Sequence, residues 1–222
     1  MTVMLLAAII GPRLWFGHVM RRHSAERPDF PGTGGELARH LLDNAGLADV
    51  PVEVTDRGDH YDPGARAVRL SAAHHNGRSL TAVAVAAHEV GHALQDRDGY
   101  APLSARTDWV RLLLPIQRVG SLFFALSPFG GVFGGPGVLV VSLITAFVCM
   151  ALPVFVHLMT LPVEYDASYG RALPILAMGG YVPAEDMPAV RQVLGAAALT
   201  YLAASLISMI NLGRWLTILL RR

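Results

Sequence analysis

The chain alternates between long apolar runs and two polar blocks. Between Arg118 and Glu164 no Asp, Glu, Lys or Arg occurs, a stretch of 45 residues. That is room for two membrane crossings of about 20 residues each. Gly134-Gly-Pro-Gly137 interrupts it once with turn chemistry. The pattern predicts one span over Val119–Phe133, approached from Leu112, and a second over Val138–Met159. Gln192–Gly213 is also uncharged, and its small residues suit close helix packing. The opening "TVMLLAAIIGPRLWFGHVM" is apolar but broken by Pro12 and Arg13. It reads as an anchor rather than a cleaved signal, since no basic n-region precedes it. The expected organisation is therefore a transmembrane anchor over 1–20, a membrane-associated segment over 21–111, a helical hairpin over 112–160, a connector over 161–191 and a final span over 192–222.

The polar block 21–111 carries its own punctuation. Thr33 and Glu36 have capping-box spacing, Leu37, Leu41 and Leu42 mark one helix face, and Gly46 follows as a stop. "VPVEVT" and "RAVRLS" alternate like short strands, and "HHNGRS" reads as a turn that leaves His74 and His75 in solvent. A helix begins near Ser79. The fold class is mainly α: a polytopic helical membrane protein with a small β element.

Composition agrees. Of 222 residues 53% are apolar and 16% charged, and the net charge is +1. No basic cluster interleaved with aromatics points to nucleic acid. Cys149 is the only cysteine, which excludes an intrachain disulfide or a Cys-based metal site.

The helix after Ser79 contains "AVAVAAHEVGHALQ". Residues four apart share a helix face, so His88 and His92 can direct ring nitrogens at one ion. Glu89 is rotated by about 100° from His88, where a carboxylate can take a proton from water activated by zinc. Burying three such groups without a partner costs several kcal/mol; a divalent cation removes that difficulty. A catalytic zinc needs a third protein ligand. The metzincin continuation would need Gly and His where Gln95 and Asp98 stand. Glu164, Asp98, Asp166 and His157 are the candidates. Glu164 is favoured because two spans return it to the side of His92. His157 lies about 10 Å from Glu164 along a helix, so the two cannot share one ion.

"DHYDP", "VRLS", "AVAAHEVGHALQ", "GYAPL", "TLPVEYDAS" and "AAALTYLAA" follow one another as in the YugP-type neutral zinc metallopeptidases, a bacterial membrane family, which the chain resembles over nearly its whole length. The resemblance implies a multi-pass inner-membrane peptidase with one catalytic Zn2+, His88, His92 and Glu164 as ligands and Glu89 as general base. That family in turn looks distantly like the HtpX-type peptidases, in which an Asp four residues after the ligand Glu orients a ligand histidine. Here that place holds Ser168, with Asp166 two residues earlier.

The expected reaction is endopeptidase hydrolysis of a peptide or protein substrate, membrane proteins among them, with the bilayer as the other partner. His60 is a candidate oxyanion donor, and "AVRLS" a candidate edge for an extended substrate. The alternative is a non-catalytic zinc-binding adaptor or chaperone, which has no need of Glu89. Arg21, Arg22, Arg27, Arg106, Arg111, Arg118 and Arg171 all lie on or beside the zinc side of the expected spans, against Arg221 and Arg222, which four spans put on the other side; the count favours a cytoplasmic active site.

Overall fold

The computed structural model describes the backbone of residues 2–196 and of 203, 205 and 207. Helix α1 (Thr2–Arg22) runs through Pro12 rather than ending there. Helix α2 (Gly34–Asn44) starts at a complete capping box: Glu36 N donates to Thr33 Oγ1, and Thr33 N to Glu36 Oε2. Strands β1 (Val52–Val54), β2 (His60–Asp62) and β3 (Ala67–Leu70) form a sheet of order β1-β3-β2. β1 pairs in parallel with β3, and β2 antiparallel. β2 is a strand that the sequence pattern does not announce. With β3 paired on both sides, the "AVRLS" segment has no free edge; the sheet's edges are β1 and β2.

"HHNGRS" is not a plain turn. Helix α3 (Ala72–Asn76) includes both histidines, and His74 is half-buried against Asp59 and Ser71. Helix α4 (Leu80–Arg97) is N-capped by Ser79, whose hydroxyl accepts from Ala82 N. It is the hub of the core. Leu42 and Ala38 of α2, Val68 and Leu70 of β3 and Val83, Ala87 and Val90 of α4 are all buried in one cluster.

Helix α5 (Ala101–Tyr165) is two antiparallel arms joined at Gly135, whose φ of 76° and ψ of −179° are non-helical. Side chains prove the fold-back. A Cβ at Gly120 would collide with Cys149, and the Trp109 and Phe155 rings meet edge-to-face at 5.3 Å. The helix of the first arm begins at Ala101, ahead of the apolar run from Leu112, and the turn falls within "GGPG". Its outside is apolar and exposed at Leu112, Ile116, Val119, Leu122, Val141, Ile144, Val148 and Leu158. Among the described residues one helical stretch, Val140–Met178, is long and apolar enough to cross a membrane.

After Tyr165 the helix widens into a π turn, Asp166–Ala172, and continues as α6 (Leu173–Met178). The π turn packs along α4 closely enough that a methyl at Gly91 would fall 2.7 Å from the Ala167 carbonyl oxygen. Residues 187–196 form α7. Of the expected span Gln192–Gly213, only 192–196, 203, 205 and 207 are described, all helical; the rest lies outside the described residues.

Candidate metal centre

α4 and the end of α5 face each other across the core, and this juxtaposition builds the site. His88 and His92 stand one turn apart with rings edge-to-face at 4.7 Å. Glu164 comes from the far arm of the hairpin. His88 Nε2 lies 3.2 Å from Glu164 Oε2, and His92 Nε2 lies 3.6 Å from the same oxygen. All three residues are buried, and their ligand atoms fall within 4.8 Å of one another.

These spacings fit zinc. A tetrahedral ion bound at about 2.0–2.1 Å separates its ligand atoms by about 3.3 Å. The other ring nitrogens are already held. His88 Nδ1 sits 3.0 Å from Ser168 Oγ, and His92 Nδ1 sits 2.9 Å from Gln95 Oε1. A proton on each Nδ1, accepted by Ser168 Oγ and Gln95 Oε1, leaves each Nε2 lone pair for a metal at the common centre, as ligand histidines require. Arg106 Nη1 approaches Glu164 Oε1 at 3.5 Å from the other side.

The competing ligands are elsewhere. Asp98 is bound to Arg97 and Arg171 at the surface. Asp166 accepts from Gln95 and Arg171, so it acts on His92 through Gln95. His157, half-buried in the hairpin, is not in the cluster.

A cavity of about 100 Å³ opens over the three residues, enough for an ion and a few waters at about 30 Å³ each. Its floor is His88, Glu89, His92 and Glu164. One wall is Asp59, His60, Tyr61 and Pro63 around β2; the other is Leu103, Arg106 and Thr107 of α5. Glu89 is buried, and its carboxyl is pushed up to about 7. Burial is the main cause; His88 opposes it, the charges of Glu164 and Asp59 add to it, and a hydrogen bond from the Tyr61 backbone opposes it.

Three residues of this site are not singled out as site residues by sequence reasoning: Gln95, Arg106 and Asp59. Asp59 accepts from Ser71 N and Oγ and from His74, which locks the loop before β2. The candidate oxyanion donor His60 lines the wall, with Nδ1 2.8 Å from Gly58 O. That bond commits the ring proton to the backbone, so neutral His60 offers the cavity an acceptor rather than a donor.

Residues 1–220 match the family described as "Putative neutral zinc metallopeptidase". The chain is 43% identical over 192 residues to the "Putative membrane protease YugP" of Bacillus subtilis (strain 168), covering 85% of this chain and 81% of that protein. No solved structure matches.

Proposed function

Because the chain belongs to the neutral zinc metallopeptidase family, we propose that it is a membrane-embedded, zinc-dependent endopeptidase with His88, His92 and Glu164 as ligands and Glu89 as general base. The observation that carries this reading is the convergence of two imidazole Nε2 atoms and one carboxylate oxygen at zinc-ligand spacing, with Glu89 lining the same cavity. When bound, zinc would polarise the scissile carbonyl and make water a nucleophile near neutral pH.

The chain's own groups supply the rest. Glu89 takes the proton from the attacking water and returns it to the leaving amine. Its raised affinity for a proton suits both halves of that task. Arg106, a permanent cation beside the metal position, donates to the carbonyl oxygen as charge builds on it. Neutral His60 cannot do so. The free edge of β2 lies on the cavity wall and offers backbone groups to an extended substrate. A zinc-binding adaptor would have no use for a buried carboxylic acid next to the metal, and burying Glu89 is costly. Its presence weighs for the enzyme.

The exposed apolar belt of the hairpin supports insertion in the bilayer, with α1, the two arms of α5 and the segment after 192 as the spans of an inner-membrane protein. Arginines near the zinc side favour a cytoplasmic site. The test of the activity is direct. The zinc-loaded protein in detergent should cut a loosely folded protein substrate, and chelation should stop it, with activity returning on zinc addition. Cleavage that persists in the chelated protein would end the metallopeptidase reading.

A further inference from the structure

The two arms of the hairpin measure how far the cavity stands from the membrane. Arg106 lines the cavity on the first arm and Glu164 on the second. Gly135 is the turn between them. A hydrocarbon core of about 30 Å takes about 20 helical residues. Counted back from Gly135, its near edge falls close to residue 115 on the first arm and close to Phe155 on the second. Side chains agree. The exposed large aliphatic positions begin at Leu112 on the first arm and end at Leu158 on the second, and the exposed aromatics Trp109 and Tyr165 lie just beyond them. Arg118 is the one charge past Leu112, and an arginine so near the edge can reach back to the headgroups. Nine residues separate position 115 from Arg106, and nine separate Phe155 from Glu164. Both arms give about 14 Å from hydrocarbon edge to catalytic centre.

The cavity also opens beside that surface. Its α5 wall, Leu103, Arg106 and Thr107, runs straight on into Trp109, which is exposed and packs on Phe155. The turn after β2 reaches the same level, since a Cβ at Gly64 would lie 3.8 Å from an Arg111 guanidinium nitrogen. The free strand edge and the arm that enters the bilayer flank one cleft, which runs from the catalytic centre down to headgroup height.

We infer that the substrate is an integral membrane protein, cut in the extended segment just outside its own span, with the hairpin acting as a ruler. An extended chain advances about 3.3 Å per residue, so at least four residues must separate span and scissile bond. A flexible chain spans 14 Å on average at about six or seven residues. Beyond that length the local concentration of the scissile bond falls roughly as the −3/2 power of spacer length. This rests on the peptidase reading above.

The test uses the full-length, zinc-loaded protein in phosphatidylglycerol–phosphatidylethanolamine vesicles. Single-span peptides carry one fixed cleavable sequence after Gly/Ser spacers of 2, 6 and 40 residues. All three are confined to the same membrane, so only distance varies. The spacer of 6 should be cut fastest, that of 2 hardly at all, and that of 40 about tenfold more slowly than 6. Equal rates, or fastest cutting at 2 or at 40, would overturn the ruler. A loosely folded soluble protein at high concentration runs alongside. If it is cut by the wild type but not by Glu89→Gln while the spacer series is flat, the ruler fails and the peptidase stands. If nothing is cut in either assay, both fail.

Discussion

Gln95 Oε1 accepts from His92 Nδ1 across 2.9 Å, and the Gln95 amide cannot turn round. Its nitrogen donates to Val163 O at 2.8 Å and to Asp166 Oδ2 at 2.9 Å, both of which can only accept. The oxygen must therefore face His92, Nδ1 must carry the proton, and Nε2 must present a lone pair to the metal position. Arg171, bonded to Asp166 at 2.8 Å, anchors the chain of bonds. Gln95→Met keeps the volume but removes this control, and zinc affinity should fall about 10- to 100-fold. Competition with a chelating dye measures it. Unchanged affinity would show that packing alone orients His92.

Glu89→Gln should keep stoichiometric zinc and lose cleavage by about 10²–10⁴-fold, because the amide cannot take a proton but is not a ligand. Metal analysis and a protein-substrate assay on one preparation decide it. A variant that cuts at the wild-type rate would remove Glu89 from the mechanism.

What the sequence discloses about this site follows from where each relation is stored. His88, Glu89 and His92 lie on one helix, so covalent spacing alone fixes their geometry. Glu164 needed one more fact, that two apolar runs bring the chain back to the same side. Gln95 is silent as a partner in the sequence, and Ser168 is marked only by the place it fills after Glu164, because both roles depend on how closely the π turn packs on α4, and Gly91 is what permits that approach. Arg106 resembled an ordinary boundary charge in sequence. β2 went unseen because three residues between Asp59 and Pro63 carry no alternating pattern of their own; pairing with β3 makes the strand. His74 looked like a turn residue and is instead tied to Asp59.

The ligand assignment separates three carboxylates. Glu164→Ala should lose zinc and activity together, since two imidazoles alone make a weak site. Asp98→Ala and Asp166→Ala should both keep stoichiometric metal. Asp98 is engaged with arginines at the surface, and Asp166 touches the site only through Gln95. An Asp98 variant that arrives empty of metal would overturn the ligand set.

Glu89 also makes the metal-free protein sensitive to pH. Its carboxyl sits at about 7 in the fold against an ordinary 4.5. The folded state therefore holds a proton that the unfolded chain releases between those values. This contribution is fully present below pH 4.5 and is lost as pH rises through 7, an effect of about 3 kcal/mol. Other groups titrate over the same range, so the comparison is between wild type and Glu89→Gln. Without zinc, the melting temperature of the wild type should fall relative to the variant from pH 4.5 to 7.5. Parallel curves would show that Glu89 is not held protonated. Zinc should flatten the difference, because a nearby dication favours the carboxylate.

The orientation of the site follows from the hairpin. Gly135 is the turn of α5, and His88 and Glu164 meet at the opposite end. If the arms cross the bilayer, the turn lies on one side and the zinc site on the other. The arginines of 21–27, Arg106, Arg111 and Arg171 are all at the site's end, whereas "GGPG" carries no charge; positive charge near span ends marks the cytoplasm. A reporter fused after Gly135 should register an external location, and one fused after Arg171 a cytoplasmic one. The reverse pair would invert the orientation and leave the chemistry intact. Two fusions reporting the same side would mean that the hairpin does not cross. The 14 Å ruler would then lose its zero, because the hydrocarbon edge on both arms is counted from a turn that reaches the far surface.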